Sequence, residues 1–147
     1  MVLIRKVISF FKLPLIRKYL FFRVLGLSVY QHHLKISSSP KAYSENLIKD
    51  ASYTAADLST ARLLRAKDIA AAIELGRKYI PWKNLCRHQA WQAIMLLQKA
   101  GIPFTYHVGI KKEGTNRNES HAWVMVNGRF ISGKCRLSEY KEIKLPI

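Results

Sequence analysis

Cys86 and His121 are the two residues whose types and surroundings point most directly to chemistry. Cys86 begins a mostly apolar stretch with helical spacing, and His121 begins an alternating stretch that reads His-Ala-Trp-Val. A cysteine at a helix start and a histidine on a strand are typical of a thiol nucleophile and its base. The N–H groups of the helix start, with Lys83 and Arg87 nearby, favour the thiolate over the thiol and can bind an oxyanion.

The same residue types also have purely structural interpretations. A lone cysteine at the start of a buried helix is more often a small core residue than a nucleophile. Cys135 has no histidine near it in sequence, so a structural role is its simplest interpretation. His88 follows Cys86 by two positions, which points it to another side of the helix and excludes it as the obvious base. The cysteine and histidine spacings do not fit zinc, so the sequence predicts neither a metal nor a cofactor.

The helix that begins at Cys86 is expected to be buried because apolar residues cover most of its surface. Gly101, suited to a left-handed conformation, and Pro103 mark its end. Two further helices are predicted before it, at Ala55–Ala66 and Asp68–Ile80, with Asp68 as the N-cap of the second. The core-facing positions of that second helix are Ile69, Ile73, Gly76 and Ile80.

Strands are predicted at residues 104–110 and 121–126, where apolar and polar residues alternate, with a polar loop at 111–120 between them. Asn127-Gly128 is a strong hairpin signal and predicts a type I′ turn. This turn predicts three cross-strand pairs: Val126 with Arg129, Trp123 with Ser132, and His121 with Lys134. Ser132 would then share a sheet face with His121 as its diagonal neighbour.

A set of these residues carries a family pattern: Pro81-Trp82, Cys86, Leu96-Leu97, Gly101-Ile102-Pro103, Gly109, His121-Ala122-Trp123-Val124 and Gly128. The set resembles the transglutaminase-like cysteine peptidases of lasso-peptide biosynthesis, the microcin-processing family. The resemblance implies an α+β fold with a papain-like core, in which the nucleophile helix packs on a small antiparallel sheet and basic helices precede it. It also implies that Cys86 is the nucleophile and that His121 is the base and acid.

Members of that family remove the leader from a ribosomally made precursor. The resemblance therefore implies acyl transfer through a Cys86 thioester to water, at a bond just ahead of the core peptide and commonly near a threonine. It implies three partners: the precursor peptide, a separate leader-binding protein, and an ATP-dependent cyclase that closes the macrolactam ring. With 147 residues, the chain has little room for a fused leader-binding domain.

The sequence departs from the family pattern at the third catalytic position. The family carries an aspartate on the strand after the histidine, whereas residues 129–133 contain no acidic residue. Ser132 is the nearest side-chain acceptor on the predicted face, and Asn127 is a poorer one because it lies in the turn. We predict Ser132 as a substituted third member that orients His121. The alternative is a non-catalytic transglutaminase-like adaptor that docks the precursor or the cyclase.

The composition indicates one globular domain with a strongly basic surface. A net charge of +16 and a pI near 10.2 predict attraction to anionic partners. Nucleic acid is disfavoured as a partner because no recognised binding motif accompanies the charge. The two cysteines show no pairing pattern, which fits a reducing cytoplasm.

Residues 1–46 are predicted to form a basic helical region and a connector at 36–46, ahead of a peptidase domain at residues 47–147. No acidic residue precedes Glu45. Charges interrupt every apolar run, so none reaches the roughly 20 residues of a membrane span, and a signal peptide fits poorly. An amphipathic helix is predicted from Ile4, Val7, Ile8 and Phe11. Two interpretations remain open: packing on the core or a partner subunit, and peripheral membrane binding.

Overall fold

The computed structural model describes residues 12–34, 58–112 and 119–143. The helices described are α1 (Leu15–Leu34), α2 (Thr60–Tyr79) and α3 (Cys86–Lys99), followed by strands β1 (Thr105–Lys111), β2 (Ser120–Val126), β3 (Arg129–Ser132) and β4 (Tyr140–Glu142). A short 3-10 helix, Leu137–Glu139, precedes β4. The sheet has the order β3-β2-β1-β4 with antiparallel neighbours. This is the predicted α+β architecture.

Helix α3 lies at the centre of the fold. It contacts α1 and α2 on one side and strands β2 and β3 on the other. Ala93 and Leu97 are completely buried, as are Val124 and Val126 on the sheet face that joins the same core. The predicted burial of the helix is therefore confirmed along its inner side, while Met95 remains 41% exposed. Gly101 has a φ of 62° and ends the helix where the sequence predicts.

Helix α2 is one continuous helix, so the prediction of a break before Asp68 is wrong. Asp68 is not an N-cap, because it lies inside this helix. Its carboxylate instead accepts a 2.7 Å hydrogen bond from Arg17 of α1. The Asp68 carboxylate thus joins α2 to α1, and α2 begins after Ser59. The predicted core-facing stripe is confirmed, because all four members are buried: Ile69, Ile73, Gly76 and Ile80.

Helix α1 packs on α2 and α3 through one side. Leu20 and Val24 join the hydrophobic core, and Ser28 and Gln31 are buried beside them. None of the described helices combines the length and apolarity needed to cross a membrane. The helix predicted from residues 4–11, the connector at 36–46 and the domain boundary after residue 46 lie outside the described residues.

The β2–β3 hairpin turns as predicted but pairs differently beyond the turn. Asn127 and Gly128 both have positive φ, 47° and 72°, as a type I′ turn requires, and Val126 pairs with Arg129. A bulge between Val124 and Met125 then shifts the register. Ser132 consequently pairs with Val124, so the predicted pairing with Trp123 is wrong.

The shifted register changes the face on which Ser132 lies. His121 and Trp123 alternate with Val124 along β2, so Ser132 shares the face of Val124 and not that of His121. Val124 belongs to the core formed with α3. The predicted diagonal neighbourhood of Ser132 and His121 therefore does not form, because one extra residue in β3 exchanges the two faces.

Candidate active site

Cys86 is the first residue of α3 and carries a free, partly exposed thiol. The helical hydrogen bonds begin with the Gln89 N–H donating to the Leu85 carbonyl. The first turn of an α-helix leaves N–H groups without a helical acceptor, which favours negative charge beside them. Tyr106 of β1 lies near this sulfur: burial raises the pKa of the Tyr106 phenol, and a neighbouring Cys86 thiolate adds to the rise. The sequence did not indicate Tyr106 as part of the site.

The loop before Cys86 is anchored by buried polar side chains. Trp82 Nε1 donates to Ser28 Oγ at 2.8 Å, which joins the loop to α1. Gln89 Nε2 donates to the Asn84 carbonyl at 2.6 Å. Gln92, which is completely buried, donates to Asn84 Oδ1 at 3.1 Å and to Gln31 Oε1 at 2.8 Å. These bonds fix the chain that leads into Cys86, and the two that reach α1 join residues 54 and 61 positions apart in sequence.

We expect Gln92→Met to lower the free energy of unfolding by about 1–3 kcal/mol, because at nearly constant volume it removes the donor of the buried bond to Gln31 Oε1 and of the partly buried bond to Asn84 Oδ1. Urea unfolding measures the change. Lys99→Met, on the exposed end of the same helix, is the control and should change stability by no more than ~0.5 kcal/mol. Equal effects of the two variants would show that the buried bonds do not contribute.

His121 lies at the start of β2, and its Nε2 is 2.9 Å from the Gly133 carbonyl oxygen. A carbonyl oxygen can only accept, so Nε2 carries the hydrogen and donates it. In the neutral ring, Nδ1 therefore holds the lone pair and can accept a proton. The ring also contacts Trp123 and Tyr140, with centroids 6.2 and 5.3 Å away. The imidazole is thus held in one orientation by a backbone acceptor and two aromatic rings.

Gly133 can bring its carbonyl to His121 only because it is a glycine. Its φ is 66°, a conformation that residues with a side chain rarely adopt. A Cβ at this position would collide with the Ala122 carbonyl oxygen and lie 2.9 Å from Trp123 Cα. The backbone of Gly133 therefore lies directly against β2. Side-chain patterns do not reveal a backbone acceptor, although a glycine immediately after a strand was an available signal.

Cys86, His121 and Ser132 line one cavity of about 610 Å³, so the structure brings all three sequence-predicted site residues to the same space. No direct hydrogen bond joins the Cys86 thiol to His121. Ser132 Oγ is buried and has no hydrogen-bond partner among the described residues, and the acceptor on the His121 ring is Gly133. Ser132 therefore lines the cavity as a residue, but its buried hydroxyl does not hold the ring.

The cavity wall also carries charged residues. Glu74 and Arg77 of α2 line it and form a 2.6 Å ion pair, and Lys134 lines the side formed after β3. The hydrogen bond from Arg77 lowers the pKa of the Glu74 carboxyl. A second cavity of about 240 Å³ lies along β3, toward the turn of the β2–β3 hairpin. The two cavities share Ala70, Phe130 and Ile131, so together they form a groove between α2 and β3.

Two further histidines, His88 of α3 and His107 of β1, form hydrogen bonds away from Cys86 and His121. His88 Nδ1 accepts from the Leu85 N–H at 3.1 Å, and partial burial, followed by Arg87, lowers its pKa. His107 bonds Glu142 at 2.5 Å and Thr105 at 2.8 Å, which ties β4 to β1. Within residues 12–34, 58–112 and 119–143, no three His, Cys, Asp or Glu side chains lie close enough together to hold a metal ion.

We expect Cys86 to react with iodoacetamide at least about fivefold faster than Cys135 near neutral pH. Partial burial, together with Glu139, raises the pKa of the Cys135 thiol and so disfavours its reactive thiolate. Cys86, by contrast, is at a helix start. Peptide mass spectrometry after brief labelling compares the two sites within one molecule. Labelling of Cys135 at an equal or greater rate would contradict an activated role for Cys86.

Comparison with known proteins shows the family of this chain. A family model described as the Transglutaminase-like superfamily, whose fold is typically that of a cysteine peptidase or transferase, matches residues 29–144. No curated protein and no solved structure matches the chain. The matched region spans most of the sequence, including α2, α3 and the whole described sheet. The chain therefore belongs to the Transglutaminase-like superfamily.

Proposed function

We propose that this protein is a cysteine peptidase that removes the leader peptide from a ribosomally synthesised lasso-peptide precursor. The observation that supports the reaction class is that Cys86, at a helix start, and His121, oriented by Gly133, line one cavity. Superfamily membership agrees with a cysteine peptidase. The substrate class rests on the residue pattern around Cys86 and His121.

The proposed reaction begins with proton transfer from the Cys86 thiol to Nδ1 of His121. The thiolate attacks the carbonyl carbon of the bond between leader and core, and the N–H groups at the start of α3 stabilise the oxyanion. The tetrahedral intermediate collapses to a thioester as the imidazolium of His121 gives its proton to the leaving amine. His121 then takes a proton from water, the resulting hydroxide attacks the thioester, and the thiol is restored.

Gly133 has a defined part in this cycle. Its carbonyl keeps the hydrogen of His121 on Nε2, which leaves Nδ1 as the basic nitrogen in every round. A neutral carbonyl stabilises an imidazolium less than a carboxylate does. The cycle therefore proceeds with correct orientation of the base and with weaker electrostatic support than an aspartate provides.

The groove between α2 and β3 offers a binding site for an extended peptide. Phe130 and Ile131 belong to both of its cavities, and β3 is an edge strand of the sheet. An edge strand has backbone groups available for pairing with an added strand. Lys67 and Arg129 line the end farther from Cys86, which favours acidic peptide side chains there. The shape and the charge both suit a peptide substrate.

The proposal is tested by incubating the purified chain with a lasso-peptide precursor and its leader-binding protein, and following the products by mass spectrometry. Release of the intact leader, with water as the acyl acceptor, supports the peptidase. Incorporation of ¹⁸O from labelled water into the new carboxyl group identifies hydrolysis. Persistent inactivity of the wild-type chain, with the leader-binding protein present and the precursor bound, would instead support a non-catalytic adaptor.

A further inference from the structure

The outer side of α1 carries a continuous apolar stripe. At about 3.6 residues per turn, five large residues fall on the side opposite the buried Leu20 and Val24. These residues remain 37–82% exposed: Leu15, Tyr19, Phe22, Val29 and Tyr30. Gly26, also exposed, lies between them on the same side. Scattered single apolar residues are ordinary on protein surfaces, but a contiguous row along a whole helix marks an interaction surface.

The stripe continues beyond α1. The ring of Tyr30 stacks on Trp91 of α3, with centroids 6.3 Å apart and an interplanar angle of 5°. Met95, one turn further along α3, is exposed. Tyrosine and tryptophan with apolar neighbours are the residues that favour the boundary between water and hydrocarbon. The surface defined by the stripe with Trp91 and Met95 is called the α1 face below.

Charge on both sides of the stripe indicates the partner. Lys18 and Arg23 fall on opposite flanks of the row, because each lies about 70° from its centre line, in opposite directions around the helix. The first 44 residues contain eight lysine and arginine residues and no aspartate or glutamate. An apolar stripe bordered by cations on a helix without acidic residues has the chemistry of an anionic lipid surface.

We propose that the α1 face docks the protein peripherally on an anionic lipid membrane. The inner side of α1 stays packed on α2 and α3, so docking requires no unfolding of the core. None of the described residues that line the cavity of Cys86 belongs to α1, so the groove remains open to substrate in the docked state. This inference does not depend on the proposed peptidase activity.

Sedimentation with vesicles tests the proposal on the full chain. Vesicles of phosphatidylcholine with about 30 mol % phosphatidylglycerol should bind the protein at low salt, and phosphatidylcholine alone should not. Raising the salt from about 0.02 to 0.3 M should weaken binding, because it screens the cations. The double variant Tyr19→Ser with Phe22→Ser should lower the partition coefficient at least about tenfold. Arg23→Gln should lower it about fivefold.

Leu137→Ser is the matched control, because Leu137 is as exposed as Tyr19 but lies in the 3-10 helix before β4. It should leave vesicle binding unchanged, and thermal unfolding should confirm that all variants are folded. Failure of the wild-type chain to bind the anionic vesicles would overturn the proposal. So would equal binding by the double variant and Leu137→Ser. If the double variant no longer bound a leader-binding protein but still bound vesicles, the α1 face would be a binding surface for a protein partner. That result would also overturn the membrane proposal.

Discussion

Cys86→Ala is expected to lower kcat/KM for leader release by at least about a thousandfold, because it removes the sulfur atom that forms the proposed thioester. The residual rate would come from substrate binding and the helix N–H groups alone. Precursor cleavage in the presence of the leader-binding protein, followed by mass spectrometry, measures the effect. The helix start itself is retained, since alanine is a good helix former.

Cys135→Ala is the matched control for this substitution. Cys135 is the other free cysteine and is also partly exposed, but it does not line the cavity of Cys86. Its variant should retain leader release within about twofold, since a change that leaves the thiol and imidazole in place costs little. Retention of more than a tenth of wild-type activity by Cys86→Ala would remove Cys86 from the mechanism.

The proposed cooperation of Cys86 with His121 is tested by a double variant. Residues that act as one catalytic unit have strongly non-additive effects. The double variant Cys86→Ala with His121→Ala should therefore be no slower than the slower single variant. Additive losses in the double variant would indicate that the two side chains act in separate steps.

Gly133→Ala is expected to lower kcat about a hundredfold, because small displacements of a positioned catalytic group cost that much. The new methyl group would collide with the Ala122 carbonyl oxygen, so the backbone at residue 133 must move. That movement takes the carbonyl oxygen away from Nε2 of His121. The ring then loses its fixed orientation, and both nitrogens can carry the hydrogen. The loss should appear in kcat more than in KM.

Gly101→Ala separates this effect from ordinary backbone strain. Gly101 has a φ of 62°, close to the 66° of Gly133, but a Cβ there meets nothing within 4 Å. Both variants should lose stability from the positive φ, and only Gly133→Ala should lose activity in the folded fraction. Urea unfolding measures the fraction folded. Equal turnover by the folded forms of the two variants would show that the Gly133 carbonyl does not position His121.

Ser132→Ala tests whether His121 is oriented by the Gly133 carbonyl, as the structure indicates, or by the Ser132 side chain, as the sequence suggested. The hydroxyl of Ser132 has no hydrogen-bond partner among the described residues, and the ring of His121 bonds Gly133. We therefore expect Ser132→Ala to keep both kcat and KM within about threefold. A large fall in kcat would restore Ser132 as the residue that orients the base.

Several parts of the site were predictable because their signals are local. An apolar stretch bounded by Pro81 and Gly101 predicts a helix that starts near Cys86, and it does. Asn127-Gly128 predicts a type I′ turn because both residues tolerate positive φ. The four-residue stripe of α2 follows from helical spacing alone. In each case the residues that determine the geometry belong to the element itself or adjoin it in sequence.

Other parts required contacts between distant segments. The carboxylate of Asp68 looked like a helix cap, but Arg17, 51 residues away, binds it from the side of a continuous helix. The loop before Cys86 is held to α1 by Ser28, which accepts from Trp82. Gln92 of α3 donates both to Asn84 of that loop and to Gln31 of α1. No local sequence pattern indicates these partners. The residue type of an acceptor is the same whether its donor lies near or far along the chain.

By itself, the sequence determined the start of the helix that carries Cys86, the strand that carries His121, the hairpin turn and the basic charge of the first 44 residues. The tertiary structure decided which group faces His121. One bulge in β3 turned Ser132 toward the core of α3, and the bare backbone of Gly133 came close enough to accept from the ring. The physical reason is that sheet register and backbone approach depend on the packing of whole elements, whereas helix starts and tight turns depend on the residues that form them.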